Sequence, residues 1–503
     1  MSQKFDVGVI GYGACGGVLV DLLLRSGLSV IVFDKWPDVL EIPRAAHIDD
    51  EIMRTFRDLG IVDDLPGTVI PSSDYSIYNA LDQRVTGFAA IDPEPTDQGW
   101  LSDYFFVQPE IEHYLRAKAR RNGATLKLGC EVVGLEEGRD GVVIDFRDAE
   151  SGGDAPVEQV TVGYVVGADG ANSFARQHIG SAWEQLAPSQ RWMIVDIHVH
   201  DGVELDLSRE AWTKVTAEET ITYVPMPKNM QRFEFSMSED RSDTEVKSDT
   251  AIADFVGKWF KPGDYEVLRA HVYHFHSRVA ENWRKGRILL AGDAVHLAPP
   301  FLGQGVCSAI RDATNLAWKL ARVVKGTSPD AILDSYQSER WPHAHMLVRI
   351  AGDVGEKLQW MATATEEELA AMKRQDYEHA QARPLMGPGL HPPFARAGGR
   401  LSPQPRLADG RLLDDHVGYR FALVGDPALI EELSPLTRAS LEALDAVILA
   451  DATDTVRDAL TPLGGAAMLV RPDRYLVGVA DSASEIDAII AHVVEALRCA
   501  EPV

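Results

Sequence analysis

The 503-residue chain carries 49 basic and 76 acidic side chains, a formal charge of −27, and 45% of its residues are hydrophobic. That length implies about three folded units, and so ordinary a composition excludes a disordered protein. The acidic surface repels nucleic acid and anionic membranes and excludes both as partners, whereas the charge of a buried pocket, and so of a small substrate, stays open.

Cys15, Cys130, Cys307 and Cys499 form no C-x-x-C pair and no metal-ligand spacing, so a reducing, cytoplasmic setting is expected and no metal site. The apolar run at residues 5–10 is broken by Asp6 and lacks the basic flank and length of a signal peptide. No stretch approaches the roughly 20 apolar residues of a membrane span, and a soluble protein is expected.

Residues 5–10 read as a buried strand, followed by Gly11-Tyr12-Gly13-Ala14-Cys15-Gly16, a G-x-G-x-x-G sequence. Val18, Leu19, Leu22 and Leu23 then recur at helical spacing, and a second strand at residues 28–33 ends at Asp34. Glycines there permit a tight turn and close approach to a pyrophosphate, whose charge meets the free N–H groups of the helix start. Asp34 stands 18 positions after the last glycine, close to the ~20 expected of an acid that binds a ribose hydroxyl. The unit predicts dinucleotide binding, without separating FAD from NAD.

Two further segments end a strand on an aspartate: Gly167-Ala168-Asp169-Gly170 and Leu290-Ala291-Gly292-Asp293. Strand carboxyl ends are where open α/β sheets bind ligands. After the second come Pro299-Pro300-Phe301-Leu302-Gly303-Gln304-Gly305 and a helix with Val306, Ile310, Ala313, Ala317, Leu320 and Val324 on one face. A helix start opened by Gly303 and Gly305 suits a flat ring that becomes anionic on reduction.

Between the aspartate motifs, residues 192–200, 220–224 and 232–237 alternate with period two, which predicts a half-buried antiparallel sheet. Tyr223, Phe233 and Phe235 on that sheet, with Pro299 from the loop, are the candidate pocket residues; plain core is an equally good reading of the aromatics. His198/His200 and His274/His276 sit at strand spacing without a carboxylate or cysteine set and are not read as metal ligands. His47 and His296 are read as packing or hydrogen-bonding residues. A helical stretch is expected over residues 366–382, then a Pro- and Gly-rich linker, then strands at residues 419–424, 446–449 and 467–470.

The three motifs together, G-x-G-x-x-G, G-A-D-G-x-x-S-x-x-R and G-D-A-x-H-x-x-P-P-x-x-G-Q-G, resemble the class A FAD-dependent aromatic hydroxylases. Pro43-Arg44-Ala45, Ile48-Asp49-Asp50-Glu51 and Phe275-His276 with Arg278 are most similar to the 3-(3-hydroxyphenyl)propionate hydroxylase branch. The resemblance is strong over about the first 350 residues. It implies an α/β fold of p-hydroxybenzoate hydroxylase type: a Rossmann-like FAD-binding domain at 1–185 and 281–382, an inserted substrate-binding sheet at 186–280, a linker at 383–406 and a thioredoxin-like unit at 407–503. That last unit has no cysteine pair, which favours an assembly or stability role over a redox one.

By the same resemblance, Gly11, Gly13, Ala14, Gly16, Asp34 and Lys35 hold the ADP half of a non-covalent FAD, and Arg44 and Gln108 lie along its pyrophosphate and ribityl chain. Asp169, Asp293, Pro300, Gly303 and Gly305 complete the cofactor set. NADH or NADPH is the implied co-substrate, visiting without a domain of its own, and O2 the oxidant. The implied reaction hydroxylates a phenolic or related electron-rich ring through a flavin C4a-hydroperoxide, with the substrate a small aromatic molecule and a homodimer one candidate assembly. A flavin oxidase or dehydrogenase on the same scaffold, and a non-catalytic FAD-binding protein, are the alternatives. No W-x-W-x-I-P segment points to a halogenase.

Overall fold

The computed structural model describes all residues except 1–3, 73–74, 89–93, 205–206, 208–209, 373–374, 378–384 and 499–503. Its first sheet is built as the local sequence dictates. The strand Lys4–Ile10 is buried along nearly its whole length, pairs in parallel with Val30–Asp34 on one side and with Glu158–Gly167 on the other, and Thr125–Leu128 and Ile288–Leu290 extend the parallel array outward. Strands covered on both faces read as continuous apolar runs. The hairpin of Cys130–Gly138 and Gly141–Asp148 joins the same sheet antiparallel. The helices Ala14–Arg25 and Gly305–Val324 pack against each other, with the Cys15 thiol donating to the Ala309 carbonyl.

The helix Gly305–Val324 is buried on nearly all sides, beyond the single apolar face that its spacing predicts. Its fully buried charged side chains are paired: Arg311 with Asp49 and Glu51, Asp312 with Arg340 and His296, and Lys319 with Glu339. Paired in this way, the charges avoid the penalty of isolated burial.

A second sheet of nine strands stands across the carboxyl ends of the first. It runs in the order His296–Leu297, Tyr265–Ala280, Trp183–Val199, Met230–Ser236, Thr220–Pro225, Ala211–Val215, Tyr75–Tyr78, Arg84–Phe88, Gln375–Tyr377. The sheet thus reaches beyond residues 186–280, drawing strands from the segments before and after. Helix Asp249–Val256 covers one face through Ile252 and Val256, joined by Phe260 just after it. The other face meets Phe301, Leu302 and the 30-residue helix Asp334–Thr363 through Trp192 and Phe275.

The expected helix over residues 366–382 is shorter than its composition implies. Helix Glu366–Ala371, opened by a capping box on Thr365, ends where Met372 turns to an extended backbone, and Gln375–Tyr377 is an edge strand; residues 373–374 and 378–382 lie outside the described set.

Residues 385–406 are a fitted strap and not a free linker. Leu390 N–H donates to Glu339, Ser402 accepts from Arg54, and Gln404 bonds the Asp97 and Gln98 carbonyls. The glycines there serve close approach, since a Cβ on Gly389 lies 2.0 Å from a Glu339 carboxylate oxygen. Beyond it a four-stranded sheet, in the order Val447–Ala450, Ala422–Gly425, Ala467–Val470, Leu476–Ala480, packs on helix Ala483–Leu497. Among the described residues no helix is long and apolar enough to cross a membrane.

Candidate active site

A cavity of about 880 Å³ runs from the first βαβ unit to the second sheet. At one end are Gly11, Gly13, Ala14, Asp34, Lys35, Arg116 and the strand start Glu131–Val133; Arg44, Gln108, Asp169 and Asp293 line its middle, and Pro300, Gly303 and Gly305 lead to the far end. Twelve of the thirteen residues expected to hold a cofactor therefore share one space.

The thirteenth, Gly16, is not part of the wall. A Cβ on it falls 2.2 Å from the Gly11 carbonyl oxygen, so its role is to let the helix close onto the strand. Gly11 has a φ of +93° and its Cβ position lies 2.3 Å from the Ala168 carbonyl, a place open only to glycine. Together they leave the start of helix Ala14–Arg25 facing the cavity with no side-chain cap, so its free N–H groups suit a pyrophosphate.

Asp34 closes the second strand and accepts from the Tyr12 N–H at 2.8 Å and the Trp36 N–H at 2.9 Å. These bonds aim the carboxylate at the cavity and leave lone pairs for a ribose diol. Gln108 is fixed at both ends of its amide, donating to Glu112 at 2.6 Å and accepting from Ala45 N–H at 2.8 Å. Arg44 reaches Glu112 at 3.0 Å. Asp169 accepts from Ser173 Oγ and from Ala175 N–H at 3.1 Å, so its carboxylate organises the turn into helix Phe174–Ile179; burial pushes it up from the usual range.

At the far end of the cavity, Gly303 adopts a φ of +63° and a Cβ there sits 2.5 Å from His47 Nδ1, whereas a Cβ on Gly305 meets nothing within 4 Å and points into open space. The spacing G-x-G thus encodes two requirements: clearance for His47 and room beside the helix start. His47, read from sequence as a hydrogen-bonding residue, binds Asp103 at 2.6 Å and the Gly303 carbonyl at 3.2 Å, and it lines the cavity. Burial pulls its imidazole down, but the Asp103 and Cys307 bonds outweigh burial and hold it well above its ordinary value. His296 is buried and bonds Asp312 at 2.7 Å; Gly292 N–H donates to the same carboxylate, so His296 supports the aspartate turn from behind.

Tyr223, Phe233 and Phe235 are not in the cavity wall. They face the covering helix, with Phe233 stacked on Trp259 and Phe235 on Phe255, each at 4.6 Å between ring centroids. Side chains alternate across a strand, so their neighbours Thr222, Val224, Arg232 and Glu234 form the wall instead, with Tyr75, Tyr273 and Phe275. Pro299 is buried outside it while Pro300 lines it.

Arg232 and Glu234 went unnoticed in the sequence, although the polar half of the period-two pattern carries them. Arg232 is clamped by Asp196 at 2.7 Å and donates to the Pro43 and Arg44 carbonyls, which ties the Pro43-Arg44-Ala45 loop to the second sheet. Glu234 is nearly fully buried and, among the described residues, its carboxylate has no hydrogen-bond partner. Burial pushes it up to about 7, against the pull of Arg232.

The site's residues fit an extended FAD: an uncapped helix start, an acid for the ribose, and an open ring berth beside a second helix start. Comparison with known proteins agrees. The family model described as "FAD binding domain" matches residues 4–351. The chain is 31% identical to the 3-(3-hydroxy-phenyl)propionate/3-hydroxycinnamic acid hydroxylase 2 of Burkholderia vietnamiensis (strain G4 / LMG 22486), over 99% of this chain and 97% of that one. It is 30% identical to a probable NADH-specific resorcinol 4-hydroxylase of Rhodococcus jostii (strain RHA1), over 98% and 96%. Among solved structures it shares its fold with the flavin-dependent monooxygenase PieE in complex with FAD and substrate, at a TM-score of 0.82 and 21% identity, over 98% of this chain and 99% of that one. Aklavinone-11 hydroxylase with FAD and aklavinone gives 0.79 and 22%, over 98% and 100%.

Proposed function

The chain belongs to the FAD binding domain family, and from that premise we propose that it hydroxylates a phenolic ring, using O2 and reducing equivalents from NADH or NADPH. The observation that carries this reading is one continuous cavity, with a dinucleotide-binding βαβ unit at one end and a partly polar wall large enough for an aromatic ring at the other.

Gly11, Gly13 and Ala14 would hold the pyrophosphate, Asp34 the ribose, and the Gly303–Gly305 loop the ring. Reduced flavin supplies the activation of O2. The protein supplies position and a dry wall: Phe275 and Phe301 border the ring end, and Arg232 pins the sheet that carries the wall to the loop at Pro43 and Arg44. A thioredoxin-like carboxyl-terminal unit in a stability role, a homodimer and residence in the cytoplasm belong to the same proposal. The order of strands and helices after residue 407 supports the first, and the free thiols of Cys15, Cys130 and Cys307 support the last.

The test is a screen of phenols for stimulated NAD(P)H consumption by the FAD-loaded protein, with product mass under isotopically labelled O2. Incorporation of one labelled oxygen supports hydroxylation. Oxidised product without the label indicates an oxidase or dehydrogenase, and a protein that binds no FAD overturns the reading.

A further inference from the structure

The wall facing the ring berth is chemically lopsided. Its guanidinium, Arg232, is already committed to Asp196 and the Pro43 and Arg44 carbonyls, and Arg269, which does not line the cavity, bonds the Pro43 carbonyl at 3.2 Å and lies 3.8 Å from Asp196. The carboxylate of Glu234 is committed to nothing among the described residues, although it is buried and lines the cavity. A buried carboxylate without a donor is costly, and its remaining neighbours do not supply one. Across the sheet it pairs with Thr222 on one side and Ile194 on the other, and the Thr222 hydroxyl is held by Thr213, itself bonded to Tyr75. The charged or titratable groups around it are Arg232 on its own strand, Asp196 and Arg269 on the two neighbouring strands beyond, and the hydroxyls of Tyr75 and Tyr273, whose ionisation it opposes.

Resting on the reading above, we propose that Glu234 is the proton acceptor for the substrate's phenolic hydroxyl, and that the substrate is an uncharged phenol without a carboxylate. A donor O–H completes the Glu234 carboxylate, which has no hydrogen-bond partner among the described residues, whereas an arylcarboxylate meets it with no uncommitted guanidinium in that wall to offset the repulsion. In the reaction the phenolic O–H bond breaks, its electron pair stays on oxygen and enriches the ring, and the proton forms an O–H bond on Glu234. Once one oxygen of O2 has been added to the ring carbon at the expense of the two electrons from NADH or NADPH, that carbon loses its hydrogen as a proton to restore aromaticity, this proton is taken up by the second oxygen as it leaves as water, and the former phenolate oxygen takes its proton back from Glu234. The carboxylate ends the cycle as it began. Burial, which pushes Glu234 up to about 7, suits it to accept a proton near neutral pH.

The experiment compares the wild-type holoenzyme with Glu234→Gln, using resorcinol and 3-(3-hydroxyphenyl)propionate as probes. Flavin absorbance checks that the variant folds and holds FAD, and perturbation of that absorbance by resorcinol reads binding separately from turnover. Wild type is expected to favour resorcinol in kcat/KM, with a rate that rises through pH ~7. Glu234→Gln is expected to bind resorcinol within about threefold of wild type, to lose roughly 100-fold or more in kcat and to lose the inflection near neutrality. A variant that keeps the wild-type rate and pH profile overturns the assignment of Glu234, and preference for the arylcarboxylate overturns the uncharged substrate. If the FAD-loaded wild type hydroxylates no phenol at all, the functional reading fails first and takes this inference with it.

Discussion

Arg311 Nε donates to the Glu51 carboxylate at 2.6 Å across 260 residues of sequence, and the same guanidinium pairs with Asp49. All three side chains are buried. Asp49 also caps helix Asp50–Asp58 through the Ile52 N–H, so the pair fastens that helix start to the helix that opens at Gly305. Arg311→Leu leaves two carboxylates buried without their cation, and is expected to cost about 3–5 kcal/mol. Glu51→Gln, which leaves the Asp49 pair in place, is expected to cost less. Denaturant unfolding of the two variants, read with flavin affinity, checks both the order and its effect on the cofactor.

Gly303 and Gly305 separate the two demands on the ring loop. Valine at Gly303 must take a left-handed φ and displace His47, so Gly303→Val is expected to destabilise the flavin-free protein by about 1–3 kcal/mol. At Gly305 an added Cβ meets no protein atom within 4 Å, so with valine there the flavin-free protein is expected to change by less than about 1 kcal/mol while FAD affinity falls at least tenfold. Melting of the apoprotein and flavin titration distinguish the two. Equal losses of stability in both variants would refute the separate roles.

The cofactor half was legible because its signals are local. Gly11, Asp34, Asp169 and Asp293 each sit at a strand end that the neighbouring apolar run already marks, so sequence position translates directly into place. The substrate wall was not legible in the same way. Period two identifies the strands that carry Phe233 and Glu234 but not which face meets the cavity, and this sheet is covered on both faces. Apolar side chains seek the fully dry side, here helix Asp249–Val256, which leaves the polar set to line the site. Reading the aromatics as the pocket therefore inverted the sheet. The strap at residues 385–406 failed for a different reason: glycine and proline signal irregular backbone equally whether it is loose or, as at Gly389, pressed against a neighbour.

The carboxyl-terminal unit is tied to the FAD-binding core by charge as well as by packing. Arg471 makes two bonds to Glu339, each at 2.8 Å, while Lys319 and Asn315 bond the same carboxylate. Burial raises the Glu339 carboxyl, but Arg471 and Lys319 prevail and hold it well below the usual range. Arg471→Met is expected to lower stability by about 3–5 kcal/mol, because Glu339 keeps only part of its compensation. Deleting residues 407–503 is expected to abolish soluble expression, since it removes Arg471 together with Phe421, which packs edge-on against Trp318. A soluble, flavin-binding truncated chain would contradict a stability role for this unit.

Glu234 makes a prediction in stability that is independent of turnover. Its folded carboxyl is pushed up to about 7 by burial, above the ordinary value near 4.3. Between those two values the folded protein keeps a proton that the unfolded chain has lost. The contribution is therefore fully present below pH ~4.3, declines as pH rises and is gone above about 7. Glutamine cannot titrate, so Glu234→Gln should match wild type in acid and become the more stable protein above neutrality, by about 4 kcal/mol at most. Denaturant unfolding of both proteins between about pH 5 and pH 8 measures the gap directly. A gap that does not widen with pH would mean that Glu234 is already ionised and solvated in the folded state, and that the wall of the cavity is wetter than its burial implies.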